Sequence, residues 1–569
     1  MRREAIIRIR VISLIVLCVL LILIGRLYIL QVTRGASYRE TAERQYVHTV
    51  HDLYSRGSIY FTTKDDEKVS AATIQNGYVL VVDPTKITDI ENTYEKLTTH
   101  TAIDRDTFIE RAGRKDKTYQ EIKQTVTKKE AETIRALNLD GVKLYKNQWR
   151  YYPGKELAAR TVGFIGYDTT ERVGKYGLER YYEDALHHDN ERMSVNFFAE
   201  IFSNLGGLVF DAQEKSEGDV VTTIEPTVAR TLDRVLEKVQ EKYSSQLTGG
   251  IIIDPTNGEI VALNVLPSFD LNNRKDVTIE SFQNPLVENV YELGSIIKPL
   301  TVASGLDAGV ITAASTYYDA GRIELDDFTI KNFDGKGRGT VSMQEVLNQS
   351  LNTGVVHISK LLGKERFRKY FYSLKLGSET GIDLPNEGYG LVKNLESPRE
   401  VEYATASFGQ GIALTPIGAV RALATLSNGG VLITPHIAKQ IEYTNGDVHE
   451  IGYAPGDRVF KEETSEEITR MLVKVVDTAL RQGTLKKEHY TIAAKTGTAQ
   501  IADISTKGYF DDKFLHSFFG YFPAYNPRFL IFLYTVEPKG VQYASETLTD
   551  PFMELTDFLI NYYNIPPDR

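Results

Sequence analysis

Between Val11 and Gly25 the chain runs VISLIVLCVLLILIG without a single charge, and residues 27–30 resume the apolar run after Arg26. With Ile6, Ile7 and Ile9 upstream, roughly 20 residues are available to span a bilayer once Arg10 and Arg26 snorkel to the headgroups. Arg2, Arg3, Arg8 and Arg10 precede the run against Glu4 alone. The positive-inside rule then puts the N-terminus in the cytoplasm and everything after about residue 32 outside. A cleaved leader would end in small residues, whereas Arg26, Leu27, Tyr28 and Ile29 follow here. The expectation is a single-pass helix anchored in the cytoplasmic membrane, with residues 1–32 as tail and anchor.

At 569 residues the chain is too long for one ordinary domain, and two or three compact units are expected. A net charge of −10 argues against a phosphate-binding surface, so nucleic acid is not an expected partner. The only cysteine, Cys18, lies inside the apolar run, which leaves the rest without disulfides.

Residues 33–220 read as a mixed α/β module. Residues 78–82 (YVLVV) after Asn76-Gly77 predict a strand following a tight turn. Residues 119–139 carry helical spacing with charges on one side and predict a solvated helix. His187-His188 has no third ligand near it, and no metal site is expected.

From 221 to 569 the texture changes. Glu225-Pro226 predicts a helix start, with Val228, Leu232, Val235, Leu236 and Val239 on one face. Residues 249–255 and 259–265 predict strands joined through Thr256-Asn257-Gly258, and residues 515–522 and 529–536 a second hairpin. Helices are expected at 295–308 and 350–362, between these strand pairs. The fold class is therefore α+β, with one antiparallel sheet built from sequence-distant strands and covered by helices.

Three short motifs carry chemistry. Ser295-Ile296-Ile297-Lys298 puts a nucleophile and a base at i and i+3 on one helix face, after a turn that Gly294 permits. Serine needs a base, and lysine serves only when neutral. Burial, a helix N-terminus and a second cation all lower its pKa. Lys495-Thr496-Gly497-Thr498 follows a strand-like stretch at 490–494. It supplies that second cation, two hydroxyls on one face, and a glycine where another backbone comes close. Ser350-Leu351-Asn352 opens the helix from 350, and by itself reads as an N-cap cluster.

Taken in chain order, 295–298, 350–352 and 495–498, the three motifs resemble the signature of penicillin-binding proteins and class A β-lactamases. The chain resembles the class B penicillin-binding proteins over nearly its whole length. Further marks are the run from Tyr291 to Pro299, the Ser407-Phe408-Gly409-Gln410-Gly411 segment and Gln482-Gly483-Thr484. Arg56-Gly57-Ser58-Ile59, Arg150-Tyr151-Tyr152-Pro153 and Gly177-Leu178-Glu179 resemble marks of that family's pedestal. Departures are Leu293 for proline, Leu351 for serine or aspartate, Ala494 for glycine, and Tyr543-Ala544-Ser545-Glu546 where two glycines are usual. They bear on substrate preference and β-lactam affinity and leave every reacting group in place.

The resemblance implies a serine β-lactamase-like transpeptidase domain at 221–569 behind a pedestal or dimerisation-like module at 33–220. It implies a D,D-transpeptidase that cross-links D-Ala-D-Ala stem peptides, releases D-Ala and is acylated by β-lactams. The compact chain favours a septal role. Ser295 is the implied nucleophile, Lys298 the base, Ser350 the proton relay and Asn352 the orienting group. Lys495, Thr496, Gly497 and Thr498 are the implied substrate carboxylate site. No metal or organic cofactor is implied. A SEDS-type membrane glycosyltransferase and other cell-wall synthesis proteins are the implied partners. The rival expectations are a D,D-carboxypeptidase and a β-lactam sensor or catalytically silent scaffold; anchor and pedestal count against a β-lactamase.

Overall fold

The computed structural model describes residues 56–168, 171–187, 217–454, 456–503 and 508–569. The expected anchor lies outside the described residues, among which no helix is long and apolar enough to cross a membrane. The described residues form two compact units, Ile74–Trp149 on one side and Arg56–Thr73, 150–187 and 217–569 on the other.

The smaller unit packs the helices Ile90–Thr98, Arg105–Gly113 and Lys128–Ala136 with three strand segments around Leu80, Leu97, Phe108, Val126 and Ile134. Two expectations fail here. Asn76-Gly77 is no turn, because one strand runs without a break over Lys68–Val82. Gly77 is needed instead for packing, since a Cβ there would meet the Trp149 ring at 2.4 Å. Residues 119–139 are not one helix either. Gln120–Val126 is a strand paired with Lys68–Val82, and the helix begins only at the Thr127 capping box with Glu130. The helical spacing of 119–139 runs across that cap.

The larger unit is built on a five-stranded antiparallel sheet. In chain order its principal elements are α1 (Pro226–Tyr243), β1 (Leu247–Ile253), β2 (Ile260–Leu266), α2 (Lys298–Asp307), α3 (Asn352–Ser373), β3 (Ala493–Asp503), β4 (Gly508–Phe522), β5 (Phe529–Val536) and α4 (Thr549–Tyr562). The strand order is β3-β4-β5-β1-β2, so the two predicted hairpins join edge to edge through β5 and β1. Glu225 caps α1 by accepting from the Val228 N–H, with Pro226 in the first turn. Residues 490–492, expected in strand, precede β3. There Thr491 donates its N–H to Asp568 instead of to a sheet neighbour.

A second set of strands in this unit runs Val448–Glu450, Ala438–Tyr443, Gly218–Thr222, Ile59–Thr62, the last two in parallel. Beside it the three dispersed pedestal motifs meet. Arg56 Nε and Arg150 Nε lie 2.7 and 2.6 Å from the two carboxylate oxygens of Glu179, with all three side chains buried.

Candidate active site

The turn before α2 is held by backbone contacts. Gly294 has φ +64°, and a Cβ on it would come to 2.8 Å from the Thr498 carbonyl oxygen. At Gly497 a Cβ would come to 2.6 Å from the Leu293 carbonyl oxygen and 2.3 Å from Ser517 Oγ. Ser517 Oγ in turn donates to the Leu293 carbonyl at 2.7 Å. Strand β3 therefore presses directly on the turn Gly294–Ile297 that carries Ser295. Lys298 is the first residue of α2, followed by Pro299 in the first turn, and its side chain is fully buried.

Ser350 corrects the expected helix start. It stands before α3 in the left-handed region, φ +53°, and Leu351 is the N-cap without a side-chain hydrogen bond. That conformation turns Ser350 toward the two lysines. Lys298 Nζ donates to the Ser350 carbonyl at 2.5 Å and reaches Ser350 Oγ at 3.2 Å. Lys495 Nζ lies 3.0 Å from the same Oγ and 3.0 Å from the Thr496 carbonyl. Asn352, first residue of α3, donates from Nδ2 to the Lys331 carbonyl at 2.8 Å. Leu351 points into the core, fully buried, which accounts for an apolar residue between two polar ones.

Burial pushes Lys298 well below the ordinary lysine pKa, and the nearby charge of Lys495 pushes it further. Burial alone brings Lys495 down to about 7. Two ammonium groups sharing one hydroxyl repel each other, which disfavours the doubly charged pair. Lys298 is the neutral member because it is depressed by both causes.

These residues surround a cleft of about 630 Å³. Ser295, Lys298, Ser350, Asn352, Lys495, Thr496 and Thr498 all line it. Gly497 does not; its place is the contact behind the strand. Thr498 Oγ1 accepts the Ala544 N–H at 3.0 Å. Phe333, Gln349, Gln410, Arg481 and Tyr543 also line the cleft. Phe333 and Tyr543 meet edge to face at 5.9 Å. Gln410 falls within a motif visible in the sequence. Phe333 carries no sequence signal, because it comes to the cleft from a loop whose position only the fold determines, while Arg481 sits in the turn Leu480–Gly483 that overlaps the Gln482-Gly483-Thr484 mark. Among the described residues, no group of three His, Cys, Asp or Glu side chains is placed to hold a metal.

A backbone-clamped serine, two buried lysines on one serine hydroxyl and a hydroxyl-bearing edge strand form an acyl-transfer site. Comparison with known proteins agrees. Residues 248–555 match the penicillin binding protein transpeptidase domain, and residues 53–204 the penicillin-binding protein dimerisation domain. The chain is 31% identical to stage V sporulation protein D of Bacillus subtilis (strain 168), over 75% of this chain and 66% of that protein. It is 27% identical to the peptidoglycan D,D-transpeptidase FtsI homolog of Mesostigma viride, over 96% and 94%. Its fold is similar to that of penicillin binding protein 2X from Streptococcus thermophilus, with TM-score 0.70, 19% identity, and 90% and 81% of the two chains covered. With a dimerisation domain preceding a transpeptidase domain, the chain belongs to the class B penicillin-binding proteins.

Proposed function

We propose that this protein is a serine-type peptidoglycan D,D-transpeptidase that cross-links stem peptides ending in D-Ala-D-Ala and is acylated by β-lactams. The observation that carries this reading is the Ser350 hydroxyl held between Lys298 and Lys495, in the cleft that Ser295 lines. Ser295 Oγ attacks the carbonyl carbon of the penultimate D-Ala, and its proton passes to the neutral Lys298 amine. The amide C–N bond breaks, and the terminal D-Ala leaves as an amine that takes its proton by way of the Ser350 hydroxyl. An acceptor amine from a second stem then displaces Ser295 from the ester and restores the enzyme.

Asn352 orients the donor peptide, while Lys495, Thr496 and Thr498 hold its terminal carboxylate through one ammonium and two hydroxyls. The backbone N–H groups of Ser295 and Thr498 receive the oxyanion, a contribution of roughly 3 kcal/mol per donor in other acyl-transfer enzymes. The close packing of Gly294 on Thr498 supports this pairing. The role is septal, the chain a single-pass protein of the cytoplasmic membrane with the cleft outside, and a SEDS-type glycosyltransferase supplies the glycan strands. The apolar run at 11–25 and its flanking arginines support the topology.

The test is intact-mass analysis of the detergent-solubilised chain after a β-lactam, followed by turnover of a D-Ala-D-Ala stem peptide with an amine acceptor. We expect one covalent adduct, its absence in Ser295→Ala, and D-Ala release coupled to a cross-linked product. Release only to water identifies a carboxypeptidase, and an adduct with no release identifies a sensor. An adduct on Ser295→Ala overturns the assignment of the nucleophile. For the partner, replacing residues 11–30 with an unrelated apolar span of equal length should reduce co-purification of the glycosyltransferase and leave acylation intact. Unchanged co-purification removes the span from that contact.

A further inference from the structure

His516 lies on β4 directly across the ladder from Thr498. Its ring is completely buried and does not line the cleft, so it touches no reacting atom. Nε2 is 3.0 Å from the Gln542 carbonyl oxygen and Nδ1 is 2.9 Å from Thr547 Oγ1. A carbonyl only accepts, so Nε2 carries a proton. Burial lowers the ring's pKa to about 4 and keeps it neutral. Nδ1 is then a lone pair that accepts from the Thr547 hydroxyl, whose one proton the Ala544 carbonyl also faces from 3.2 Å. One imidazole thus holds both ends of the segment 542–547.

In the middle of that segment the Ala544 N–H donates to Thr498 Oγ1 at 3.0 Å. A hydroxyl that accepts on one side turns its own proton away from that donor. For Thr498, the open side is the cleft it lines. The neighbouring Tyr543 reaches the cleft from the same segment, which Tyr243 Oη and Arg481 Nη2 also hold by donating to the Glu546 and Ser545 carbonyls at 2.8 and 3.2 Å.

We propose that His516 is a positioning residue for carboxylate recognition. By fixing the segment 542–547 through both ring nitrogens, it sets the Ala544 N–H against Thr498 Oγ1 and so aims the Thr498 proton at the substrate's terminal carboxylate. This rests on the assignment of Thr498 to the carboxylate above.

The test uses the detergent-solubilised full chain and two D-alanyl thioesters that differ only in the end of the leaving group, one a carboxylate and the other its carboxamide. The second-order rate of Ser295 acylation is read for each by intact mass. His516→Ala should slow the carboxylate donor about 10- to 100-fold and change the carboxamide donor less than about threefold. His516→Gln, whose amide still offers an N–H to the Gln542 carbonyl, should recover part of the loss. In a Thr498→Val background His516→Ala should cost little more, because the two act through one hydroxyl.

Ala544→Pro leaves His516 untouched, removes the N–H and sets a ring carbon against Thr498 Oγ1 in its place. Tyr543 before it is already extended at φ −117° and ψ 139°, as a residue preceding proline must be. Its loss should be selective for the carboxylate donor too, which decides the matter should His516→Ala not fold. Equal slowing of both donors, no slowing of either, or losses that multiply in the double variant overturns the proposal. Failure of the unaltered chain to be acylated by either donor overturns instead the function on which it rests.

Discussion

Gly294 and Thr498 meet backbone to backbone, so closely that a Cβ on Gly294 would lie 2.8 Å from the Thr498 carbonyl oxygen. The nucleophile's turn and the strand bearing the hydroxyls are therefore positioned against each other with no side chain between them. Gly294→Ala must force the two apart and also place alanine at φ +64°. The strain alone is worth roughly 1–3 kcal/mol. A displacement of about 1 Å at a reacting centre is worth about a hundredfold in rate. We expect a variant with a lower Tm whose β-lactam acylation rate falls by at least that factor. Acylation at the unaltered rate would show that the contact does not position Ser295.

Removal of the Lys495 charge should move the pH dependence of acylation. The neutral Lys298 amine is the base, so the rate climbs with pH through the Lys298 pKa. Burial is the larger cause of its depression and Lys495 the second. Lys495→Met removes the second alone, raises the Lys298 pKa and shifts the rising limb to higher pH. The rate also falls at every pH because a carboxylate contact is lost, so the limb's position is the diagnostic. A limb at the same pH in both proteins would sink the coupling. Stability gives an independent reading. Lys495 folds with a pKa of about 7 against an ordinary 10.5, so the unfolded chain binds more protons between those values and the native protein gains stability as pH rises across them. The Tm advantage of Lys495→Met should be full below pH 7 and shrink toward pH 10.5.

Much of the larger unit was legible because its signals are local. Pro226 after Glu225, and Thr256-Asn257-Gly258 between two apolar runs, each act within a few residues, and α1 and the β1–β2 hairpin form where they direct. The motifs placed seven of the eight candidate residues around one cleft for the same reason. Local reading failed where a distant partner overrides the signal. Asn76-Gly77 favours a turn by itself, yet Trp149 and continued strand pairing keep it extended. Ser350 looked like a helix cap and is instead turned left-handed toward Lys298, 52 residues away in sequence. His516, Phe333 and Arg481 owe their places to tertiary neighbours alone. Nothing in the windows of His516 and Phe333 marks them, and Arg481 only adjoins the Gln482-Gly483-Thr484 mark.

The left-handed backbone of Ser350 separates its hydroxyl from its conformation by substitution. Both Ser350→Ala and Ser350→Gly delete the Oγ that Lys298 and Lys495 share. A lost proton relay typically costs about 10²–10⁴-fold, and the two variants should lose acylation to a similar extent. Only alanine keeps a Cβ at φ +53°. Glycine should therefore be the more stable of the two by about 1 kcal/mol in thermal melts. Near-normal acylation by the alanine variant would restrict Ser350's contribution to its carbonyl, which holds Lys298 at 2.5 Å.

Glu179 is the counter-charge of Arg150 and shares Arg56 with Glu183. Each guanidinium places its Nε against one carboxylate oxygen, Arg56 Nη2 adds a bond to the Glu179 carbonyl, and neither Arg56 nor Glu179 has exposed side-chain surface. Glu179→Gln keeps the volume, takes the carboxylate from Arg150 and leaves Arg56 with Glu183 alone, a loss of about 3–5 kcal/mol. Burial by itself would raise the Glu179 pKa. The two guanidiniums overcome it and hold the carboxyl below its ordinary 4.5. A carboxylate depressed in the native state stabilises above its unfolded pKa, and that contribution disappears as pH falls from 4.5 through the folded value. The gap between native protein and Glu179→Gln should be full at pH 7 and narrow below pH 4.5. Replacing Glu179 and Arg150 together by methionine should restore most of the stability at pH 7, since Arg56 keeps Glu183 and no buried charge is then left unpaired. Calorimetry is the suitable measurement. The only tryptophan, Trp149, belongs to the other compact unit, so its fluorescence would not report on this one. A Glu179→Gln transition that coincides with the native one at pH 7 would show that the triad adds nothing to stability.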